Sequence, residues 1–172
     1  NHKKSDAIEI YHPLITNCVS NSMQVVGNSI LLTGSKMSGK TSFIRTIGLN
    51  IITGLTINTC FAKQFCFPRL KIFSAIRLSD NLMNDKSYYF EEVLTIKEMV
   101  EKSQTKESNL FLLDEIFKGT NTVERISAGR AVLSYLNNKS NIVFVSTHDI
   151  ELADLLKDTY KLYHFSEQVD DK

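Results

Sequence analysis

Short apolar runs alternate along the chain with longer segments in which apolar residues recur every three or four positions. The short runs predict buried strands, and the longer segments predict helices with one buried face. Such alternation is typical of an α/β domain with a mostly parallel sheet. Strand segments are expected at 23–34, 70–76, 109–115, 141–149 and 161–165, and helices at 39–54, 89–102 and 123–136.

Two of these segments carry finer predictions. Residues 23–34, MQVVGNSILLTG, predict two strands joined by a tight hairpin turn at Gly27-Asn28. The helix that starts at Gly39 is expected to end with Gly54 as its C-cap. The expected inward residues of the first two helices are Phe43, Ile44, Ile47, Ile51, Val93, Ile96, Met99 and Val100. Polar clusters follow several strands, at the edge where open α/β sheets bind ligands.

The stretch TGSKMSGKTS, residues 33–42, contains Gly34, four intervening residues, and then Gly39-Lys40-Thr41. This is the full phosphate-binding loop (P-loop) pattern, placed between a predicted strand and a predicted helix. Glycines let the backbone N–H groups point at phosphate oxygens, and the helix adds its positive end. Lys40 is expected to reach the β- and γ-phosphates of ATP. The predicted nucleotide-binding residues are Gly34, Ser35, Lys36, Met37, Ser38, Gly39, Lys40, Thr41 and Ser42.

Acidic residues end the strand segment at 109–115. Asp114 follows an apolar run and is expected to ligate Mg²⁺ together with the Thr41 hydroxyl. Glu115 offers a base or orienting group for an attacking water, which a hydrolase needs. His148, after the next strand, could sense the γ-phosphate or orient that water. The chemistry of a single histidine favours this functional role and a purely structural role equally. Tyr11 is the one aromatic residue considered for contact with adenine.

Composition limits the kinds of partner and compartment that the chain suggests. The 20 Lys and Arg residues against 19 Asp and Glu leave a net charge of +1, so any DNA contact needs a local patch or another domain. Cys18, Cys60 and Cys66 are scattered, which favours a reducing compartment, here the cytoplasm, and argues against disulfides or a zinc site. No apolar run reaches the length of a membrane span. The 172 residues fit a single domain, and a chain that starts at Asn1 is expected to be a piece of a longer protein.

Taken together, these motifs resemble the ATPase domain of the MutS family of DNA mismatch-repair proteins. Segment 9–15, EIYHPLI, is similar to the opening of that domain, and segment 31–50 is similar to its P-loop. LFLLDEIFKGTNT, at 110–122, resembles its Walker B segment and the following Gly-Thr-x-Thr turn. VSTHDIEL, at 145–152, resembles its Thr-His switch, which favours the functional role for His148. The resemblance implies an ABC-like P-loop ATPase fold, with ATP and Mg²⁺ as cofactors.

The resemblance also implies partners. Segment 76–93 is similar to a stretch whose Ser completes the nucleotide site of the partner subunit, and that role falls on Ser87. The implied assembly is a homodimer, weak or absent here because the helix-turn-helix that joins subunits lies outside the chain. DNA binding would belong to domains outside it. Two positions depart from the family pattern: Ser35-Lys36 stands where the family usually has Pro-Asn, and Val123-Glu124-Arg125 stands where it usually has Tyr-Asp-Gly. These departures suggest a divergent MutS-related branch.

Three alternatives remain open. An ABC or SMC-type head would carry Leu-Ser-Gly-Gly-Gln before the Walker B strand, and no such run lies between Asp80 and Leu110. A P-loop kinase is disfavoured by Glu115 and by the lack of an arginine-bearing lid. A binding module that uses ATP as a dimerisation switch, with weak or no hydrolysis, is disfavoured by Glu115 and His148, while Lys36 leaves it possible.

Overall fold

The computed structural model describes residues 4–26, 29–76, 85–138 and 140–166. The strands are β1 (Lys4–Ile10), β2 (Asn21–Val26), β3 (Ser29–Gly34), β4 (Gln64–Cys66), β5 (Lys71–Ala75), β6 (Asn109–Asp114), β7 (Asn141–Ser146) and β8 (Tyr160–Phe165). The helices are α1 (Lys40–Ile57), α2 (Asp85–Ser103), α3 (Thr122–Leu136) and α4 (Ile150–Leu156). Among the helices in these ranges, none is long and apolar enough to cross a membrane.

Two sheets organise the chain. The larger has five strands in the order β5-β6-β7-β3-β8, and every neighbouring pair in it is parallel. The smaller has three strands in the order β2-β1-β4, all antiparallel. The predicted α/β class with a mostly parallel sheet between helices is confirmed.

The apolar run of β6 explains why the large sheet is covered on both faces. Successive strand residues point to opposite faces, so an unbroken apolar run needs a hydrophobic cover on each. Leu110 and Leu112 pack into one core cluster with α1 and the small sheet. Phe111 and Leu113 pack into a second cluster with α2, α3 and α4.

Helix α1 lies very close to the large sheet. Its buried residues include Phe43, Ile44, Ile47 and Ile51, as the sequence predicted. At Gly48 a Cβ atom would come within 2.7 Å of a terminal methyl of Leu112, so a side chain at this position would force Leu112 to move. The close approach fixes the helix, and with it the loop at its N-terminal end, against β6.

Three of the finer predictions are wrong. Strands β2 and β3 belong to different sheets, so they do not form the expected hairpin; Gly27-Asn28 itself lies outside the described residues. Helix α1 runs past Gly54 to Ile57, because Asn58 adopts the left-handed conformation and donates its N–H to the Thr53 carbonyl. Val93 is exposed rather than buried, whereas Ile96 and Met99 of the same helix are buried as predicted.

Three short elements were not expected from the sequence. Strands β1 and β4 pair with each other in the small sheet, where Ala7 and Ile10 are the fully buried positions of β1. Helix α4 is only 7 residues long and follows directly on the β7 loop. Each is too short or too weakly patterned for its period to be detected by counting apolar residues.

Candidate active site

The carboxyl ends of three neighbouring strands bring the predicted site residues to one edge of the large sheet. Strand β7 lies between β6 and β3, and Asp114 at the end of β6 is paired in register with Ser146 at the end of β7. On the other side of β7, Ser146 is paired with Leu32 of β3. The P-loop, the acidic pair and the His148 segment therefore all leave the sheet at the same edge.

The first glycine of the P-loop is required by its neighbours. Gly34 has φ of 139°, and a Cβ atom there would lie 2.3 Å from the carbonyl oxygen of Phe165 on β8. Gly39, directly before α1, has φ of 89° and accepts the first helical hydrogen bond, from Phe43 N at 2.9 Å. Both conformations favour glycine, so both glycines of the pattern have a backbone reason to be present.

The P-loop closes around its own lysine. The Lys40 side chain is only 3% exposed, and its Nζ donates to the carbonyl oxygens of Gly34 at 2.9 Å and Ser35 at 2.5 Å. The Ser38 hydroxyl also donates to the Ser35 carbonyl, at 2.9 Å. Lys40 is therefore preoriented inside the loop, where a phosphate could compete for the same ammonium group.

Other loop residues face outward. Ser35, Lys36 and Met37 at the loop tip are exposed, as is Ser42 in the first turn of α1. Lys36 thus brings a second positive charge to the rim of the loop, without a buried contact of its own. A charge at this rim favours an anionic ligand.

Asp114 joins the P-loop to the neighbouring strands. Its Oδ2 accepts a hydrogen bond from the Thr41 hydroxyl at 2.8 Å, across 73 positions of sequence. Its Oδ1 accepts a hydrogen bond from the Ser146 hydroxyl. Both donors are neutral hydroxyls, so two hydroxyl oxygens lie beside the carboxylate. Oxygen donors of this kind suit Mg²⁺.

Glu115 lies in a different electrostatic setting. Its Oε2 forms an ion pair with Lys118 Nζ, and its Oε1 lies 3.3 Å from His148 Nδ1. Burial acts to raise the pKa of this carboxyl, but the hydrogen bonds and charges of Lys118 and His148 outweigh that effect and lower it. Glu115 therefore stays ionised at neutral pH.

The backbone after Asp114 adopts an unusual conformation. Glu115 has φ of 48° and Phe117 has φ of 61°, a region that non-glycine residues seldom adopt. The Glu115 N–H donates to the Ser146 carbonyl at 3.0 Å. The Phe117 N–H donates to Oε2 of Glu92, a carboxylate of α2 that is 7% exposed, at 3.2 Å. Two specific hydrogen bonds thus stabilise the turn that carries Glu115.

His148 lies in a segment fixed on both sides. The Thr147 N–H donates to the Leu32 carbonyl of β3 at 2.9 Å. The Asp149 carboxylate accepts two hydrogen bonds from Arg125 of α3, at 2.8 and 2.9 Å. These bonds raise the pKa of the Arg125 guanidinium and lower that of the Asp149 carboxyl. Between its fixed neighbours, the His148 side chain remains about half exposed.

Two further predicted residues are not tested by the structure. Tyr11 follows β1, is partly exposed and packs edge-on against Phe61, with ring centroids 6.1 Å apart. Its contact with adenine stays a prediction. Ser87 is in the first turn of α2, but its side chain lies outside the described part of the chain. The trans role of Ser87 also stays a prediction.

Four residues at this edge of the sheet were not singled out from the sequence. Lys118 follows Glu115 by three positions, and a basic residue so close to a candidate base was a signal that could have been used. Ser146 contacts Asp114 only because of the register between β6 and β7, which the sequence does not reveal. Arg125 of α3 and Glu92 of α2 contact residues in the loops that follow β7 and β6, and no local pattern indicates such contacts.

Within the described ranges, no group of three or more His, Cys, Asp or Glu side chains is arranged to bind a metal ion. This does not conflict with Mg²⁺ binding beside a P-loop, because Mg²⁺ there takes one or two protein oxygens together with phosphate and water oxygens. The donor set of Thr41 and Asp114 fits that arrangement.

Comparison with known proteins gives a consistent picture. Residues 30–172 match the family model described as MutS domain V. A DNA mismatch repair protein MutS of Pseudothermotoga lettingae is 32% identical over 154 residues, which cover 85% of this chain and 19% of that protein. Another from Petrotoga mobilis is 36% identical over 129 residues, 72% of this chain and 15% of that protein. The chain thus spans less than a fifth of the length of these curated relatives.

The fold is also similar to that of solved structures. A putative ABC transporter ATP-binding protein from Pyrococcus furiosus superposes with a TM-score of 0.55, covering 94% of this chain and 97% of that one. At 12% sequence identity, this likeness establishes the ABC-like ATPase fold and nothing about substrate.

Proposed function

The chain belongs to the MutS domain V family, and on that premise we propose that it binds ATP with Mg²⁺ and hydrolyses it to ADP and phosphate. Residues 1–172 would form a single ATPase domain of a longer protein. The observation that carries the proposal is the hydrogen bond between Thr41 and Asp114, because it joins the P-loop hydroxyl to the carboxylate at the end of β6. A polar turn that merely resembled a P-loop would have no reason to make this contact.

The phosphate-binding part of the proposal rests on the P-loop. Backbone N–H groups of the loop and the N-terminal end of α1 would bind the phosphates, and Lys40 would bind the β- and γ-phosphates in place of the Gly34 and Ser35 carbonyls. Thr41 and Asp114 would bind Mg²⁺. The chemistry that Mg²⁺ supplies when bound is neutralisation of charge on the terminal phosphates.

The hydrolytic part rests on Glu115 and His148. Glu115 would accept a proton from water as the water oxygen attacks the γ-phosphorus, and ADP would be the leaving group. His148, whose Nδ1 lies 3.3 Å from Glu115 Oε1, would orient the water or the carboxylate. Glu115 is ionised at neutral pH because Lys118 and His148 lower its pKa, so it is in the protonation state that a base requires.

We propose that a homodimer completes the site, with Ser87 of one subunit contacting the γ-phosphate bound by the other. A serine in the first turn of a helix offers both a hydroxyl and free N–H groups to an arriving phosphate. Loss of a donor of this type typically lowers turnover about 10²- to 10³-fold. Turnover per subunit should therefore rise with protein concentration.

A mixing experiment tests the shared site. Ser87→Ala and Lys40→Ala proteins should each be nearly inactive, while their equimolar mixture should regain phosphate release, since one site in each mixed dimer keeps both residues. Turnover that does not depend on concentration, together with no recovery on mixing, would leave Ser87 as a helix residue without a role in hydrolysis.

The relatives named above are DNA mismatch repair proteins, and this chain matches only a small part of their length. We therefore propose that the nucleotide state of this domain controls DNA binding by other domains of the same protein. The near-zero net charge of the chain supports the assignment of DNA contact to those other domains.

A second candidate is a nucleotide-dependent dimerisation switch with weak or no hydrolysis. The ion pair between Glu115 and Lys118 favours it, because a cation on the carboxylate weakens it as a base. Phosphate release measured on a dimeric form of the protein separates the two. Turnover that depends on Glu115 supports hydrolysis, whereas ATP-driven dimerisation without phosphate release supports the switch.

A further inference from the structure

A bidentate ion pair connects two elements near the site without belonging to the proposed catalytic group. Arg125 Nε donates to Asp149 Oδ2 at 2.8 Å, and Arg125 Nη2 donates to Asp149 Oδ1 at 2.9 Å. The side chains are 16% and 11% exposed. Exposed ion pairs contribute little, but a mostly buried pair in this parallel geometry has a defined orientation. The pair therefore fixes Asp149 relative to α3.

The position of Asp149 makes the pair relevant to His148. Thr147, His148 and Asp149 form the three-residue connection between β7 and α4. Thr147 is fixed to β3 through its backbone N–H, and the Asp149 N–H donates to the Thr147 hydroxyl at 3.1 Å. With Asp149 fixed by Arg125, the connection is attached on both sides of His148. The backbone position from which the imidazole extends is therefore defined.

The Asp149 carboxylate also has another possible hydrogen-bond partner, the first turn of α4. Asp149 is the N-cap residue of α4, a position at which aspartate normally accepts a hydrogen bond from the first turn of its own helix. Its carboxylate makes no such bond and instead accepts one hydrogen bond from Arg125 on each oxygen. Without Arg125, the carboxylate would lose both of these bonds and could cap α4 instead, so the Asp149 end of the connection would no longer be attached to α3.

Arg125 itself is well fixed. It is in the first turn of α3, where Asn121 caps the helix and accepts from Glu124 N at 3.0 Å. The Arg125 backbone N–H donates to the Asn121 carbonyl at 2.9 Å. The guanidinium therefore starts from a rigid helix end and not from a mobile loop.

We infer that Arg125 is a positioning residue for ATP hydrolysis, which acts through Asp149 to direct the His148 imidazole toward Glu115. This inference rests on the proposed hydrolysis of ATP by this site. Arg125 is given no contact with nucleotide, so a substitution of Arg125 should change turnover and leave ATP affinity nearly unchanged.

The test uses the full-length protein and begins with Arg125→Gln. We expect turnover to fall about tenfold, on the scale at which a misplaced catalytic group loses rate, while the dissociation constant for ATP stays within about threefold. Arg125→Lys, which keeps the charge but not the bidentate geometry, should fall between wild type and Arg125→Gln. The matched control is Lys157→Gln, which breaks the exposed Lys157–Asp154 pair at the other end of α4 and should leave turnover unchanged.

The decisive comparison repeats Arg125→Gln in a His148→Ala background. If Arg125 acts through His148, the second substitution should lower turnover no further. A full tenfold loss in that background would overturn the inference, because it would mean a structural or independent role. An ATP dissociation constant weakened tenfold or more by Arg125→Gln would also overturn it, since it would indicate direct contact with nucleotide.

A readout independent of activity distinguishes failure of this inference from failure of the proposed function. In protein carrying isotope-labelled histidine, the His148 ring resonance should shift in Arg125→Gln and stay in place in Lys157→Gln. An unmoved resonance would overturn the inference whether or not the protein hydrolyses ATP. If the His148 resonance moved in Arg125→Gln while the wild-type protein released no phosphate, the positioning contact would be supported and the proposed hydrolysis would be wrong.

Discussion

Asp114 and Glu115 are adjacent in the chain, yet their carboxylates lie in different surroundings. Asp114 accepts hydrogen bonds from the neutral hydroxyls of Thr41 and Ser146. Glu115 is paired with Lys118 and lies beside His148. The comparison extends to two regions: a phosphate-binding region, formed by residues 34–42 with Asp114, and a hydrolytic region, formed by Glu115, Lys118 and His148.

The difference shows how one strand end can serve two tasks. In the phosphate-binding region, the hydrogen-bond partners of the Asp114 carboxylate are neutral hydroxyls, and carboxylate oxygens of this kind can bind a divalent cation. In the hydrolytic region, Lys118 and His148 already compensate the charge of Glu115 and keep it ionised. Substitutions in the first region should therefore change affinity, and substitutions in the second should change rate.

The largest expected effect lies in the phosphate-binding region. Lys40→Ala removes the buried ammonium group, and the loss of a charge-assisted contact, about 2–5 kcal/mol, should weaken MgATP binding roughly 30- to 4,000-fold. Calorimetric titration with MgATP measures this. Lys97→Ala, at an exposed position of α2, is the control and should bind normally. An unchanged dissociation constant for Lys40→Ala would remove the P-loop assignment.

In the hydrolytic region, Glu115→Gln should lower turnover on the order of 10²-fold or more and leave ATP affinity within a few-fold, since water activation alone is lost. Steady-state phosphate release and calorimetry on the same preparation give both values. If affinity and turnover fell together, Glu115 would be a structural residue and the two regions would not be separable.

The turn that carries Glu115 is expected to depend on Glu92. Glu92→Gln keeps an oxygen that can accept from the Phe117 N–H, while Glu92→Leu leaves that buried donor unpaired at a cost of about 1–3 kcal/mol. Urea unfolding should show the loss in Glu92→Leu and a smaller loss in Glu92→Gln, with turnover following the same order. Equal behaviour of the two variants would mean that the hydrogen bond to Phe117 is not what matters.

The smallest expected effect is a shift of pH dependence. Lys118 favours the ionised form of Glu115, so Lys118→Met should raise the pKa of that carboxyl and move the acid limb of the turnover profile to higher pH. Turnover at acidic pH should fall as more Glu115 becomes protonated. Lys97→Met, which removes an exposed pair with Glu101, should leave the profile in place. A shift toward lower pH in Lys118→Met would contradict the role given to the ion pair.

The sequence predicted much of the fold because its strongest signals are local. The apolar runs of β3, β6 and β7 depend on consecutive residues, and each was located correctly, as was the loop between β3 and α1 that carries the P-loop pattern. The expected hairpin at Gly27-Asn28 failed because a two-residue turn signal does not reveal that its flanking strands belong to different sheets.

Residues of the site also differ in whether a local sequence signal or a long-range contact determines their place. Motif spacing predicted that Gly34, Lys40 and Asp114 lie at one edge of the sheet, and the structure brings them together there. The contacts of Ser146 and Arg125 could not be predicted in this way, because they depend on strand register and on the packing of α3 beside the β7 connection. Such contacts join residues far apart in sequence, and no periodicity indicates them.

The central claim is that adjacent carboxylates divide binding from chemistry. Its most direct test measures the Mg²⁺ dependence of ATP affinity, together with turnover, for Asp114→Asn and Glu115→Gln side by side. Asp114→Asn should lose the gain in ATP affinity that Mg²⁺ confers, whereas Glu115→Gln should keep that gain and lose turnover. If both variants kept the Mg²⁺-dependent gain, or both lost it equally, the division of roles between Asp114 and Glu115 would be contradicted.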